Sequence, residues 1–130
     1  MKATLDLSSL SGKAVLLVDD EEIVTDVIRE VLSPAVELLE TATNGEEALA
    51  KIMEMDFDFI LLDIEMPKMN GMELYRYVKE IKPHLLERII FITGDTETAL
   101  TRTFIMKSEC RYLDKPFMLR DLFRVMISLP

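Results

Sequence analysis

The chain has 130 residues, 49% of them hydrophobic, which is enough for one domain with a single packed core. Its 24 acidic residues outnumber 15 basic ones for a formal net charge of −9, which argues against direct nucleic-acid binding, since a phosphate backbone demands clustered Lys and Arg. One cysteine, Cys110, rules out an internal disulfide, no apolar run is long enough for membrane insertion, and no signal peptide opens the chain, so a cytoplasmic location is expected.

Residues 1–12 read as an N-terminal tail or linker closed by Gly12, and residues 13–130 as the domain. The run AVLLVD from Ala14 is continuously apolar, as a strand buried on both faces should be. Ile23, Val24, Val27, Ile28, Val31 and Leu32 then recur at helical spacing until Ser33-Pro34 stops them. VELLETAT (36–43) is more mixed and predicts a strand nearer the sheet edge. Asn44 with Glu47 three residues later predicts a capping box on a helix through about Met55. FDFILLD (57–63) is the next apolar strand, followed by the loop IEMPKMNG, whose Pro67, Asn70 and Gly71 are turn residues.

A helix with Leu74, Val78 and Ile81 on one face follows, then the strand RIIFIT (88–93), broken by Gly94-Asp95. Residues 97–107 predict a weaker helix in which Ala99, Leu100, Thr103 and Phe104 share a face. CRYLDK (110–115) is a short last strand, and Leu119, Leu122, Phe123, Met126 and Ile127 make a closing amphipathic helix. Strict alternation of five strands with five helices predicts an α/β fold, a doubly wound parallel sheet covered on both faces.

In such a sheet the C-terminal ends of the strands line one edge, where ligands bind in open α/β folds. Asp19-Asp20, Asp63, Thr93 and Lys115 all end strands, so three carboxylates, a hydroxyl and an ammonium should converge there. Clustered carboxylates resist ionising together without a cation, and a hard ion such as Mg2+ resolves that conflict. A lysine and a threonine facing the acids suggest an anion beside the metal, with phosphate the leading choice. Gly94 next to Thr93 lets the backbone approach such a ligand. Glu21 and Glu22 read instead as helix-start acids that favour the positive end of the helix dipole. His84 reads as a surface or cap residue, and Cys110 as a small core residue.

These residues resemble the receiver domain of two-component response regulators, over about residues 13–129. The resemblance rests on Asp19-Asp20, Asp63, Thr93 and Lys115-Pro116, on their intervals of 43, 30 and 22 residues from Asp20 onward, and on the loop Met66–Gly71. It implies a flavodoxin-like sheet of order 2-1-3-4-5, the order the fold is known for. It also implies that Asp63 is the nucleophile that takes a phosphoryl group from a histidine kinase or a histidine phosphotransfer protein.

Mg2+, or Mn2+ in its place, would be held by Asp20, Asp63 and the backbone carbonyl of Glu65, with Asp19 acting mainly through water. Thr93 and Lys115 would hold phosphoryl oxygens. Tyr112 matches the aromatic that reorients on activation, changing the surface of the fourth helix, fifth strand and fifth helix, which could also form a dimer. Glu65 and Asp95 occupy positions that tune phosphoryl lifetime, and Glu109-Cys110 departs from the Gly-Ala pair common in the family.

Such a chain is a switch that catalyses only its own phosphorylation and dephosphorylation, either alone or as the receiver of a hybrid histidine kinase. Three rivals stand beside it: a small aspartyl-nucleophile phosphatase, faintly suggested by Asp63-Ile64-Glu65, a flavin-binding module, and a receiver that is never phosphorylated, which the full set of acids, Thr93 and Lys115 disfavours. The second is disfavoured because Asp19–Glu22 would repel a phosphate at the first strand end.

Overall fold

Each apolar run becomes a strand because the helix after it returns the chain to the same sheet edge. The computed structural model describes residues 6–94 and 98–129. The strands are β1 (Ala14–Val18), β2 (Leu38–Ala42), β3 (Phe59–Asp63), β4 (Ile89–Thr93) and β5 (Arg111–Asp114). The helices are α1 (Glu22–Leu32), α2 (Gly45–Glu54), α3 (Gly71–Ile81), α4 (Ala99–Ser108) and α5 (Leu119–Ser128). Short 3-10 turns cover Ser8–Leu10, Ser33–Ala35 and Pro83–Arg88. All strand pairs are parallel, as the alternation of elements predicted, and the order is β2-β1-β3-β4-β5, as the resemblance implied.

Alternate residues of the central strands feed two apolar layers. Leu16, Val18, Ile60, Leu62 and Phe91 pack with Ala48 and Ile52 of α2, Leu74 and Val78 of α3, and Ile105 of α4. Val15, Leu17, Leu61, Ile90 and Ile92 pack with Ile28 and Leu32 of α1 and with Leu122, Phe123 and Met126 of α5. Fully burying one such aliphatic side chain stabilises the fold by about 1.5–3 kcal/mol, so these layers dominate its stability. Leu10, which the sequence reading put in the tail, is 1% exposed and belongs to the second layer. β2 is the half-buried edge strand, as its mixed composition indicated.

Several helix faces differ from the expected ones. On α1 the apolar stripe is wider than the core it meets, so Ile28 and Leu32 are buried while Ile23, Val27 and Val31 face solvent. On α3, Leu74 and Val78 are buried but Ile81 is exposed. On α4 the inward residues are Thr101 and Ile105, and Leu100 points out. Phe104 is half-buried because its ring meets Tyr75 at 5.2 Å and Phe91 at 5.5 Å, both edge-on.

Caps also redistribute. Asn44 accepts from the Glu47 amide at 2.8 Å, but the Glu47 carboxylate accepts from the Thr43 hydroxyl, so half of the expected box forms. The complete capping box is at Asn70 and Glu73, on α3. His84 is exposed, as expected, and with Lys82 it grips Asp56; the bonds from Lys82 and then His84 push that carboxyl down to about 2. The Cys110 thiol is held above its ordinary pKa by burial and donates to the Leu86 carbonyl at 3.4 Å.

Glu109 ends α4 with φ 59 in the left-handed region. That conformation strains a side chain bearing Cβ and suits glycine. Glu109→Gly should therefore stabilise the protein by about 0.5–1 kcal/mol, seen as a higher urea midpoint with unchanged slope.

Candidate functional site

The sheet register brings the strand ends together. Val18 pairs with Leu62, Asp63 with Ile92 and Thr93 with Asp114, so the residues ending β1, β3, β4 and β5 stand side by side. Asp19 follows β1 and is 2% exposed; Asp63 ends β3 and is 3% exposed; Thr93 ends β4 and is fully buried. Asp20 is exposed at the mouth. Lys115 follows β5, its amide bonded to the Thr93 carbonyl at 2.8 Å, and its peptide bond to Pro116 is cis.

Backbone amides orient the two buried acids. Asp19 Oδ1 accepts from the Glu21 amide at 2.8 Å and Asp63 Oδ1 from the Glu65 amide at 3.2 Å. The second oxygen of each then faces the lysine: Lys115 Nζ lies 3.0 Å from Asp19 Oδ2 and 3.3 Å from Asp63 Oδ2. The first of these pairs by charge but is too poorly aligned for a hydrogen bond, so a buried oxygen of Asp19 has none.

The loop after β3 is held from below. The Gly71 amide donates to the Ile64 carbonyl at 2.9 Å, closing the turn beneath Asp63. A Cβ on Gly71 would stand 2.5 Å from the Asp63 carbonyl oxygen and 2.8 Å from Ile64 Cα. Gly71 thus serves close approach of α3 to the end of β3, rather than the turn geometry its neighbours suggested.

Glu21 was missed. Its carboxylate gives no cap bond to α1; instead Oε1 accepts from Lys115 Nζ at 2.6 Å. The acidity of Asp19–Glu22 was visible in sequence, but the reach to a lysine 94 residues away was not. Carboxylate oxygens of Asp19, Asp20, Glu21 and Asp63 all lie within 4.8 Å of one another.

Three of these carboxylates pair with the Lys115 ammonium and the fourth, Asp20, stands beside them, and the electrostatics follow. Burial, then the charge of Asp19, pushes the Asp63 carboxyl up to about 7, against the opposing pull of Lys115. Burial works against the charge of Lys115, but the hydrogen bond to Glu21 and the nearby carboxylates of Asp19 and Asp63 hold it above the ordinary lysine range. An all-oxygen donor set, with a buried carboxylate oxygen lacking a hydrogen bond, fits a hard divalent cation such as Mg2+ or Mn2+.

The remaining expected residues stand apart from this cluster. The Glu65 side chain is exposed and only its amide contacts Asp63. Tyr112 is 49% exposed on β5, paired in register with Phe91. Asp95 lies outside the described residues.

A model of the family described as response regulator receiver domain matches residues 15–127. The chain belongs to that family. The response regulator receiver protein CpdR of Brucella abortus is 36% identical over 110 residues, covering 85% of this chain and 90% of that protein. The chemotaxis protein CheY of Halobacterium salinarum is 33% identical, covering 82% and 87%.

Among solved structures, the Vibrio cholerae chemotaxis protein CheY4 superposes with TM-score 0.80 at 28% identity, covering 92% of this chain and 99% of that one. The receiver domain of the histidine kinase CKI1 from Arabidopsis thaliana, complexed with Mg2+ and BeF3−, also gives 0.80 at 28% identity, covering 95% and 93%. The receiver fold, expected from five residues and their spacing, is thus established for the chain. Receiver domains are signalling switches of two-component systems, and they bind Mg2+ at an acidic pocket like this one. Among the described residues no helix is long and apolar enough to cross a membrane.

The receiver's site makes two measurable demands. Gly71→Ala should cost about 1–3 kcal/mol in urea unfolding, because backbone rather than a flexible side chain stands in the way. The second concerns pH. The raised folded pKa of Asp63 means that the folded state binds the extra proton between about pH 4 and 7. In metal-free buffer its contribution to stability is complete below pH 4 and is lost as pH rises through about 7. Asp63→Asn should accordingly exceed the wild type by about 2 kcal/mol at pH 8, with the advantage shrinking toward pH 5, in paired urea melts with chelator.

Proposed function

We propose that this receiver domain is the phosphoacceptor of a two-component phosphorelay, with Asp63 as the residue that carries the phosphoryl group. The observation that carries the reading is the buried Asp63 carboxylate, aimed beside Lys115 Nζ at 3.3 Å and backed by Asp19. An oxygen of Asp63 attacks phosphorus, the N–P bond of the donor phosphohistidine breaks, and the bond electrons leave with the imidazole. Asp19, Asp20, Asp63 and the Glu65 carbonyl would hold Mg2+, which when bound neutralises charge on the phosphoryl oxygens and keeps Asp63 ionised.

Lys115 supports one phosphoryl oxygen as a mobile point charge, and Thr93 a second through its hydroxyl. Phosphorylation adds close to two negative charges at a rim that already holds unbalanced acids. Thr93 moves toward them and Tyr112 turns inward, changing the surface formed by α4, β5 and α5. Leu100, Met106, Tyr112 and Met118 expose apolar area on these elements, which supports their use as a contact face, including in a dimer. Glu65 and Asp95 would set the phosphoryl lifetime by acting on the attacking water.

The donor is a histidine kinase or histidine phosphotransfer protein. A groove of about 450 Å³ beside Lys115, lined by Ile23, Val27, Pro116, Phe117 and Leu119, supports that partner. Ile23 is 80% exposed at its edge and Val27 46%, leaving apolar surface there for a partner to cover. A partner helix laid there would bring its histidine to the mouth of the crevice.

Acetyl phosphate with Mg2+ should add one phosphoryl group with the lability of an acyl phosphate, followed by intact mass. Asp63→Asn should abolish the label, and its persistence on that variant overturns the assignment. Lys115→Ala should retain some Mg2+ binding in calorimetry but lose the change at α4, β5 and α5. Sustained turnover of p-nitrophenyl phosphate by the wild type would point instead to a phosphatase.

A further inference from the structure

Glu21 sits where an α-helix N-cap side chain normally serves its own helix, yet it makes no capping bond. Its amide donates to Asp19 Oδ1, so the turn that orients the buried acid also sets where the Glu21 side chain begins. From there Oε1 accepts from Lys115 Nζ at 2.6 Å, shorter than the lysine's approaches to Asp19 at 3.0 Å and Asp63 at 3.3 Å. The Glu21 side chain is 57% exposed, against 1% for Asp19 and 4% for Asp63, so it holds the ammonium from the solvent rim.

Building on the phosphoacceptor reading, we propose that Glu21 is a positioning residue that tethers Lys115 at rest and competes with the incoming phosphoryl group for its ammonium. The exchange breaks no covalent bond. Lys115 gives up one hydrogen bond to Glu21 and forms one to a phosphoryl oxygen, while the exposed carboxylate returns to water at little cost. The same carboxylate repels an anionic donor as it enters. Asp19 and Asp63 hold the lysine too, but both are buried and cannot turn away to solvent. Glu21 is the partner that can let go.

The test uses the full chain with acetyl phosphate and Mg2+, measuring phosphorylation rate against donor concentration for the wild type, Glu21→Gln, Glu21→Asp and Glu22→Gln. The aspartate keeps the charge on an arm one methylene shorter, which separates the tether from simple repulsion. Glu22, exposed in the same turn and outside the acidic group around Lys115, controls for surface charge. Glu21→Gln should raise the second-order rate constant about fivefold and Glu21→Asp about threefold, as loss of a part-exposed ion pair implies, with less than about twofold for Glu22→Gln. A Glu21→Gln effect no larger than that of Glu22→Gln, or a Glu21→Asp rate equal to wild type, overturns the proposal.

A second readout needs no phosphoryl donor: the 15Nζ signal of Lys115 in metal-free protein should shift in both Glu21 variants and stay in place in Glu22→Gln. An unmoved signal overturns the tether. A wild type that takes no phosphoryl group overturns the phosphoacceptor reading and the competition with it, and the Nζ signal then decides the tether alone.

Discussion

Everything at the carboxyl edge of the sheet depends on negative charge held out of water with too little positive charge beside it. Asp19 and Asp63 are nearly inaccessible, Asp20 and Glu21 stand at the rim, and Lys115 is the cation that meets them. Burial alone would drive such carboxyls toward their protonated forms. The lysine opposes that drive without cancelling it, which is why Asp63 stays raised and a divalent cation fits the residual charge. A site balanced in this way responds strongly to any further charge, which supports the phosphoacceptor role proposed for it.

The fold supplies the rigidity on which that balance rests. β1, β3 and β4 are buried on both faces, so Asp19, Asp63 and Thr93 at their ends inherit positions set by two packed layers rather than by loops. The loop after β3 is the exception, and it is secured by other means. Gly71 lets α3 close against the backbone of Asp63 and Ile64, and the Asn70–Glu73 capping box fixes the start of the same helix. Precision at Asp63 therefore comes from a helix terminus pressed against a strand end. Flexibility is left to the rim, where exposed side chains such as Glu21 can exchange partners.

Where sequence reading missed, one cause recurs: periodicity identifies an amphipathic helix but not the width of the core it meets. α1 carries six apolar residues at helical spacing, and the sheet covers only part of that stripe, leaving Ile23, Val27 and Val31 exposed. On α4 Thr101 and Ile105 are buried instead of Leu100, and Phe104 is half-buried against Tyr75 and Phe91, contacts from other elements that no local window contains. Asn44 and Asn70 both had a glutamate three residues on, yet only Glu73 turned back to its cap, because Thr43 offered Glu47 another partner. Tyr112 on β5 is in plain view in both sequence and structure, but the switching role proposed for it would belong to a second conformation.

By itself the sequence determined the class of fold, the order of elements and five strand-end residues. Apolar runs, helix spacing and stop signals are local, and parallel strands must present their C-terminal ends on one edge. Only the tertiary structure decided which acids share Lys115, that an oxygen of Asp19 is buried without a hydrogen bond, and that Glu21 serves the lysine rather than its helix. Those facts depend on distances between residues far apart in the chain, and on how much water each one keeps. Neither quantity is written in a residue's neighbours.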